Sequence, residues 1–245
     1  MTRMMRRTIA AFVALATLCA TCGPAFAYCG PWPRLIRAEY GTSRLVVVAK
    51  LEAKHAAKIE RDVDSTIYTL SVTEMLRGYP VTTIKVREDN DSGSATFDWR
   101  IGESYLLFLH PVKNGMWRLD GCGNSGRLRD STAAMKIVRS MQNDDGGWIE
   151  GFISQMTDDA RSLVPLAGVR VKIHGDEKDY EAVTDAKGIY RVHVAMGMYS
   201  VTSADVPGLE FLPPDTVASI YQSGDRIRID AGRAAQLNFT ATPKK

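Results

Sequence analysis

The apolar and polar positions between residues 44 and 119 follow the pattern of β-strands. Arg44–Lys50 is dense in β-branched residues, which is typical of a buried strand, and Ser104–His110 contains an apolar run with polar ends. Thr66–Val72, Thr82–Arg87 and Met116–Leu119 are also strand-like. Five strands in one block predict a small closed β-barrel.

One helical pattern follows this block. Asp130 and Ser131 are residue types that cap helices. Apolar residues then recur at helical spacing, at Ala134, Ile137, Val138 and Met141. The spacing predicts one amphipathic helix over residues 131–142, and the Asp- and Gly-rich segment 143–147 predicts a linker.

Beyond residue 147 the apolar period returns to two, and turns fall at short intervals. The strand-like segments are Trp148–Ile153, Val169–Ile173, Tyr190–Val194, Tyr199–Thr202, Arg226–Asp230 and Gln236–Thr240. This pattern predicts a β-sandwich of about 100 residues. The predicted fold class is therefore mainly β, with a five-stranded barrel and its closing helix at 28–142, a linker at 143–147 and a sandwich at 148–245.

Residues 1–27 have the pattern of a cleaved secretory signal peptide. Arg3, Arg6 and Arg7 precede an apolar run from Thr8 to Cys19, and Ala25–Ala27 supplies small residues at the cleavage site. The run is too short to span a bilayer permanently. A lipid anchor on Cys19 or Cys22 is disfavoured because the residues before each cysteine fit poorly. We expect an exported chain, periplasmic or extracellular, with no transmembrane segment.

Cleavage changes the charge balance of the chain. The full sequence holds 31 basic and 28 acidic residues, and three of the basic residues lie in the signal peptide. The mature chain therefore has a net charge of zero. A nucleic-acid partner needs a concentrated basic face, so we expect none.

Two cysteines, Cys29 and Cys122, remain after cleavage. In an oxidising compartment two thiols most simply form one disulfide. A reactive or metal-binding pair would need histidine or cysteine neighbours at ligand spacing, and Cys29 has none nearby in the sequence. We predict a structural bridge.

The first block resembles the netrin-like or TIMP-like module. The resemblance rests on Cys29–Pro31, Leu45–Lys50, Val72–Gly78, Gly102–Phe108 and Cys122–Leu128. It implies an OB-type barrel of five strands, in a family that includes inhibitors of metalloproteases.

The TIMP pattern implies a zinc-chelating mechanism that this sequence does not support. In that pattern the α-amino group and carbonyl of an N-terminal cysteine bind the zinc of the target. Here Tyr28 precedes Cys29, and Pro31 stands where the family has its second cysteine. We expect no inhibition by chelation, and we take Tyr28, Cys29, Gly30 and Pro31 with Trp99 as a candidate binding ridge.

The second block resembles the carboxypeptidase regulatory-like, or transthyretin-like, sandwich. The resemblance rests on Pro165–Val171, Thr184–Tyr190 and Met196–Val201. It implies a prealbumin-like fold that serves as a structural or binding accessory.

Small and polar residues in these three segments are expected to shape the turns of the sandwich. In the Thr184, Asp185 and Gly188 turn, the Asp side chain accepts backbone N–H groups and the glycine takes positive φ. Gly168 and Gly197 are expected to begin strands.

Other candidate chemistry is weak. Gly123–Gly126 differs from Gly-x-Ser-x-Gly because its second glycine comes one position early, so we interpret it as a turn. His174 and His193 lie on two different predicted strands of the sandwich, and we predict no metal site between them. Trp99, between Asp98 and Arg100, is the tryptophan that we expect to be exposed and available to a ligand.

The sequence therefore predicts a non-enzymatic exported protein that binds or regulates a protein or a cell-envelope component, without a cofactor. A structural or glycan-contacting envelope protein is the alternative. Metalloprotease inhibition is disfavoured by Tyr28.

Overall fold

The computed structural model describes residues 29, 32–59, 63–89, 97–157, 162–203, 206–218, 222–223 and 226–244. The elements of the first block are α1 (Ile36–Thr42), β1 (Leu45–Ile59), β2 (Val63–Arg77), β3 (Thr83–Asp89), β4 (Ser104–Pro111), β5 (Trp117–Leu119), β6 (Gly126–Arg127) and α2 (Thr132–Met141). Short 3₁₀ turns lie at Lys113–Gly115 and Leu128–Asp130. All five predicted strands are present, β1 and β2 are longer than predicted, and α1 and β6 were not predicted.

The strand pairs of the first block form a closed ring. The order is β1-β2-β3-β5-β4, and β4 pairs back onto β1. The pairing of β3 with β5 is parallel, and the other pairs in the ring are antiparallel. Register shifts in β1, which are β-bulges or similar irregularities, increase the local twist and help a strand curve around a ring.

Leu45–Ala49 of β1 and Tyr105–Leu109 of β4 are buried on both faces, which explains their continuous apolar runs. Residues of one parity fill the ring: Leu45, Val47, Ala49, Tyr105, Leu107 and Leu109. The intervening residues Val46, Val48, Leu106 and Phe108 face outward into a second core beneath the helices. Water is therefore excluded from both sides of these strands.

The second block consists of two packed sheets. Its strands are β7 (Gly147–Met156), β8 (Leu163–Pro165), β9 (Arg170–Gly175), β10 (Tyr180–Val183), β11 (Ile189–Val194), β12 (Gly197–Ser203), β13 (Leu209–Phe211), β14 (Asp215–Ala218), β15 (Gln222–Ser223), β16 (Arg226–Ile229) and β17 (Arg233–Pro243). One sheet has the order β10-β9-β12-β16-β15. The other has the order β11-β7-β17-β13, with β8 on β7 and β14 on β17.

The inner faces of the two sheets meet in one apolar core, as in a β-sandwich. Alternate residues of β7, β9, β11, β12, β16 and β17 supply it. β7 and β17 run parallel to each other at the centre of their sheet. The predicted sandwich is thus present, with short strands that the alternation pattern had not revealed.

The two blocks meet at a junction built around α1. The outward face of β1 and β4 packs with Tyr40 of α1, with Met135, Val138 and Met141 of α2, and with Ala234 of β17. Gly41 lies so close to β17 that an added Cβ would stand 2.8 Å from the backbone nitrogen of Ala234. The junction is therefore a packed core and not an open hinge.

Hydrogen bonds also join α1 to the sandwich. The backbone N–H of Leu35 donates to Gln236 Oε1 over 2.9 Å, and the amide of Gln236 donates to the carbonyl of Pro33 over 3.0 Å. The N–H of Ala38 donates to Glu150 over 3.3 Å. Because Gln236 and Glu150 are buried, these bonds are shielded from competing water.

The C-terminal end of the segment predicted as a linker, residues 143–147, packs into the sandwich. Gly146 and Gly147 are buried, and Gly147 is the first residue of β7. Within the described residues, neither helix is long and apolar enough to cross a bilayer.

Candidate functional site

The predicted disulfide between Cys29 and Cys122 is present, with a Cα–Cα distance of 5.5 Å. It ties the start of the described chain to the loop between β5 and β6. Tyr28, Gly30 and Pro31 lie outside the described residues. Cys29 is exposed, but as a half-cystine it offers no free thiol.

The loop after Cys122 is held by a buried carboxylate. Glu39 of α1 accepts hydrogen bonds from the backbone N–H and the side-chain amide of Asn124. Ser125 Oγ accepts a bond from the N–H of Phe108 over 3.0 Å. Both polar side chains of the Gly123–Gly126 segment therefore have structural partners, which agrees with a turn.

The expectation that Trp99 is exposed is wrong. Its side chain is 8 % exposed and lies in the core of the ring. Its ring centroid is 4.5 Å from those of Tyr68 and Phe97 and 5.1 Å from that of Tyr105. Charged sequence neighbours had suggested a surface position, but only Asp98 and Arg100 point outward, since neighbouring residues of extended chain face opposite ways.

The turn residues of the sandwich have clear structural roles. Asp185 Oδ1 accepts the N–H groups of Lys187 and Ile189 over 2.8 and 3.0 Å, and Gly188 has φ +70°. Thr184 Oγ1 accepts the N–H of Val169 over 2.9 Å. Gly168 has φ +75°. Gly197 is the first residue of β12. These residues shape the fold.

His193 belongs to a small polar cluster at the start of β7. Its Nε2 lies 2.6 Å from Asp144 Oδ1, and its ring packs edge-on against Trp148. Asp144 also accepts bonds from the Trp148 indole N–H and the N–H of Gly146. Burial opposes ionisation, but these bonds prevail and lower the pKa of Asp144.

Asp144, Asp145 and His193 form a group whose potential metal-ligand atoms lie within 4.8 Å of one another. Since Asp144 already has three donors, its oxygens are committed to the fold rather than presented to a metal. His174 lies on β9 in the other sheet, so the two histidines do not share a sheet.

The junction contains a cleft of about 500 Å³, here called the arginine cleft. Its lining residues are Thr42, Ser43, Arg44, Arg77, Gly78, Tyr79 and Arg233. They come from the C-terminal end of α1, the paired ends of β1 and β2, and the start of β17. Gly78 has φ +111°, and an added Cβ there would stand 2.8 Å from the Leu45 side chain, so only glycine fits this wall.

Two of the arginines bridge the two blocks. Arg77 Nη1 donates to the carbonyl of Gly232 over 3.3 Å, and Arg233 Nη1 donates to the carbonyl of Gly41. The Arg77 guanidinium also lies 4.9 Å from the centroid of the Tyr40 ring. A guanidinium has five N–H donors, so these contacts fix both side chains without using all of their donors.

The positive charge of the cleft is not balanced by a carboxylate. Within the described part of the chain, no ion pair involves Arg44, Arg77 or Arg233. Burial, together with the charges of Arg233 and Arg44, lowers the pKa of Arg77 to about 10. Arg77 is therefore still charged at neutral pH, and the positive charges of Arg44 and Arg233 repel it.

Sequence reasoning did not find this cleft. Arg44, Arg77 and Arg233 are far apart in the chain, and the charge balance of a whole sequence does not show where three charges gather in the fold. Arg77 and Gly78 did belong to a segment that carried the netrin-like resemblance. That signal concerned the fold and not the charge.

No protein-family model matches the chain, and no curated protein matches it with significant sequence similarity. One structural neighbour is the Bacillus anthracis TIE protein, with 10% identity, a TM-score of 0.30, and coverage of 79% of this chain and 26% of the neighbour. Another is the minor pilin GBS52 of Streptococcus agalactiae, with 11% identity, a TM-score of 0.30, and coverage of 83% and 84%.

Proposed function

We propose that the mature chain is an exported, non-enzymatic binding protein whose two β blocks act as one unit. Its partner is a protein or a cell-envelope component, and the contact is made at the arginine cleft through a negatively charged group. The observation that carries this proposal is the set of three guanidiniums in one cleft with no carboxylate opposite them among the described residues.

The packed junction supports the same proposal. Residues that line the cleft come from both blocks, and the core and hydrogen bonds around α1 hold the blocks together. A fixed arrangement of charged donors reduces the entropy lost on binding. Export is supported by the disulfide, since such bonds persist in oxidising compartments.

The finer fold assignments remain proposals. The closed ring order β1-β2-β3-β5-β4 supports an OB-type barrel of the netrin-like class. The facing sheets and the parallel pairing of β7 with β17 support a carboxypeptidase regulatory-like sandwich. Neither fold identifies a partner by itself.

The contacts of Ser125 favour a structural role for the Gly123–Gly126 segment over a role in catalysing hydrolysis. A serine nucleophile has to be exposed beside a general base. Here the hydroxyl accepts a hydrogen bond from the backbone N–H of Phe108 and lies in the disulfide-linked loop.

A structural, glycan-contacting role is the alternative function. It is favoured by the exposed ring of Tyr79, which lines the cleft.

The test is photo-crosslinking in the native compartment. A benzophenone amino acid replaces Tyr79, which is 51% exposed at the cleft, and a control variant carries it at Val183, which is 55% exposed on β10. We expect an adduct from position 79 and none from position 183. Arg44→Gln in the same chain should reduce the adduct roughly fivefold or more, because rim charges steer association.

An adduct that forms equally with and without Arg44 would contradict binding through charge. Absence of any adduct at position 79 would contradict the cleft as the contact site. Catalytic turnover that persists in an Arg44→Gln chain and is lost in Ser125→Ala would contradict the non-enzymatic proposal.

A further inference from the structure

Besides its three arginines, the arginine cleft contains a buried hydroxyl that has no hydrogen-bond partner among the described residues. Ser43 lines the cleft and is 1% exposed, yet its hydroxyl makes no hydrogen bond with any described residue. A buried hydroxyl without a partner costs about 1–3 kcal/mol. The neighbouring Thr42 differs, because its hydroxyl is satisfied by the carbonyls of Ala38 and Glu39. Ser43 thus contributes a buried hydroxyl without a partner among the described residues to a cleft that three arginines line.

We propose that the arginine cleft binds the terminal phosphate of a phosphomonoester, with Arg44, Arg77 and Arg233 as charged donors and Ser43 as a hydroxyl donor. This inference rests on the proposed function, that the cleft binds a negatively charged group, and it names the chemistry of that group.

The charge of the cleft favours a phosphomonoester over a carboxylate. A carboxylate brings one negative charge and two oxygens, which leaves most of the mutual repulsion of three guanidiniums in place. A phosphomonoester brings a charge of about −1.5 to −2 at neutral pH and three terminal oxygens. Arginine forks bind such oxygens bidentately, so three arginines match the three oxygens better than they match two.

The size of the cleft agrees with a phosphate that is attached to something larger. A volume of about 500 Å³ is in the range of sites for small organic ligands and exceeds what a phosphate group alone needs. The remaining volume, beside the exposed ring of Tyr79, is available to the group that carries the phosphate.

The experiment is isothermal titration calorimetry on the mature, disulfide-bonded chain with glycerol 1-phosphate as the probe and acetate as the carboxylate comparison. Wild type should bind glycerol 1-phosphate more tightly than acetate. Arg44→Gln should weaken binding about tenfold, equivalent to about 1.4 kcal/mol. Ser43→Ala, which removes no charge, should weaken it severalfold.

A matched control removes the same charge elsewhere. Arg228→Gln alters an exposed arginine on β16, outside the cleft, and should leave the affinity unchanged. The melting temperature of each variant without ligand shows that it is folded. The Arg44 side chain is exposed and the Ser43 hydroxyl has no described partner, so both variants should fold.

The pH dependence supplies a second measurement. The second ionisation of a phosphomonoester has a pKa of about 6, so affinity should fall between about pH 7.5 and pH 5.5. The cleft is lined by no described histidine or carboxylate, so this loss reports the ligand's own charge. Acetate, which stays ionised, should show no such loss.

Equal or tighter binding of acetate would overturn the phosphate assignment and leave an anion-binding function intact. Phosphate binding that Arg44→Gln and Ser43→Ala do not alter would overturn the site. Binding to vesicles of phosphatidylcholine with phosphatidic acid then distinguishes a lipid headgroup from a soluble ester as the source of the phosphomonoester. Binding to them but not to glycerol 1-phosphate identifies a lipid headgroup, and binding to glycerol 1-phosphate alone identifies a soluble ester.

Discussion

The carboxylate of Glu39 accepts two hydrogen bonds from Asn124, one from its backbone N–H and one from its side-chain amide, each 2.6 Å long. Glu39 is fully buried on α1, and Asn124 lies two residues after the disulfide cysteine Cys122. One carboxylate therefore fastens the helix of the junction to the disulfide-linked loop.

Replacement of Glu39 tests this connection. Glu39→Ala leaves two donors of Asn124 without their acceptor and opens a cavity, so it should lower the free energy of unfolding by about 2–4 kcal/mol. Glu39→Gln keeps one oxygen acceptor for both donors and should cost far less. Urea unfolding of the three chains measures the difference. Equal losses in the two variants would show that the hydrogen bonds contribute nothing.

The pH dependence of the Glu39→Gln variant follows from the direction of the pKa shift. Burial raises the pKa of Glu39, and the bonds from Asn124 and the charge of Arg34 oppose this only in part. A group with a raised pKa in the folded state adds stability below its ordinary value near 4.5, and this stability is lost as the pH rises through the raised value. Glu39→Gln should therefore gain stability relative to wild type between pH 4 and pH 8. A constant difference over that range would contradict the shift.

The Asp144–His193 cluster should respond to pH in the opposite direction. The lowered pKa of Asp144 means that its contribution is present above its ordinary value of 3.8 and is lost as the pH falls through the lowered value. Asp144→Asn should cost about 1–2 kcal/mol at pH 7, because hydrogen bonds to a charged acceptor are the stronger kind. The cost should shrink between pH 7 and an acid pH below 3.8, where Asp144 becomes protonated. Urea unfolding at the two pH values measures it, and Asp145→Asn, at an exposed neighbour, is the control.

The disulfide should stabilise the chain mainly through its unfolded state. Cys29 and Cys122 are separated by 93 positions, and a loop of that length corresponds to about 4–5 kcal/mol of chain entropy. Reduction should therefore lower the melting temperature of the mature protein. A Cys29→Ser, Cys122→Ser double variant should melt at the reduced value whether or not reductant is present. A wild-type melting temperature that reductant does not change would contradict a structural role.

Periodicity predicted the strands that have long apolar patterns, and it failed where tertiary contacts decide the structure. Residues 36–42 contain a glycine and have no side-chain cap, so no sequence signal indicates a helix. The helix forms because Gln236 and Glu150 satisfy the N–H groups of Leu35 and Ala38. A helix of seven residues is unstable alone. Its stability therefore depends on residues more than 100 positions away.

The arginine cleft could not be predicted from the sequence because it too depends on tertiary contacts. Cys29 and Cys122 were predictable because the cleavage expected after Ala27 would leave only these two cysteines. Trp99 was misplaced because its polar neighbours carry no information about the ring of strands that covers it. The arginine cleft exists only where β1, β2 and β17 meet, and nothing local in the sequence brings those three elements together.

Gly41 tests whether the two blocks form one cooperative unit. In an isolated helix, Gly→Ala is stabilising by about 1 kcal/mol, because alanine loses less backbone entropy. At Gly41 the added Cβ would stand 2.8 Å from Ala234 N and 3.1 Å from Ala234 O, both backbone atoms of β17 that cannot move aside cheaply. Gly41→Ala should therefore lower the free energy of unfolding by about 1–3 kcal/mol, as overpacking does.

The matched control is Gly126→Ala on β6, whose added Cβ would have no neighbour closer than 3.4 Å and whose φ is not positive. It should be neutral within about 0.5 kcal/mol. Scanning calorimetry supplies the second measurement: wild type should unfold in one transition, and Gly41→Ala should unfold in two, one for the first block and one for the sandwich. If Gly41→Ala instead proves as stable as wild type, helix propensity has prevailed. The close approach of α1 to β17 would then not be what holds the blocks together.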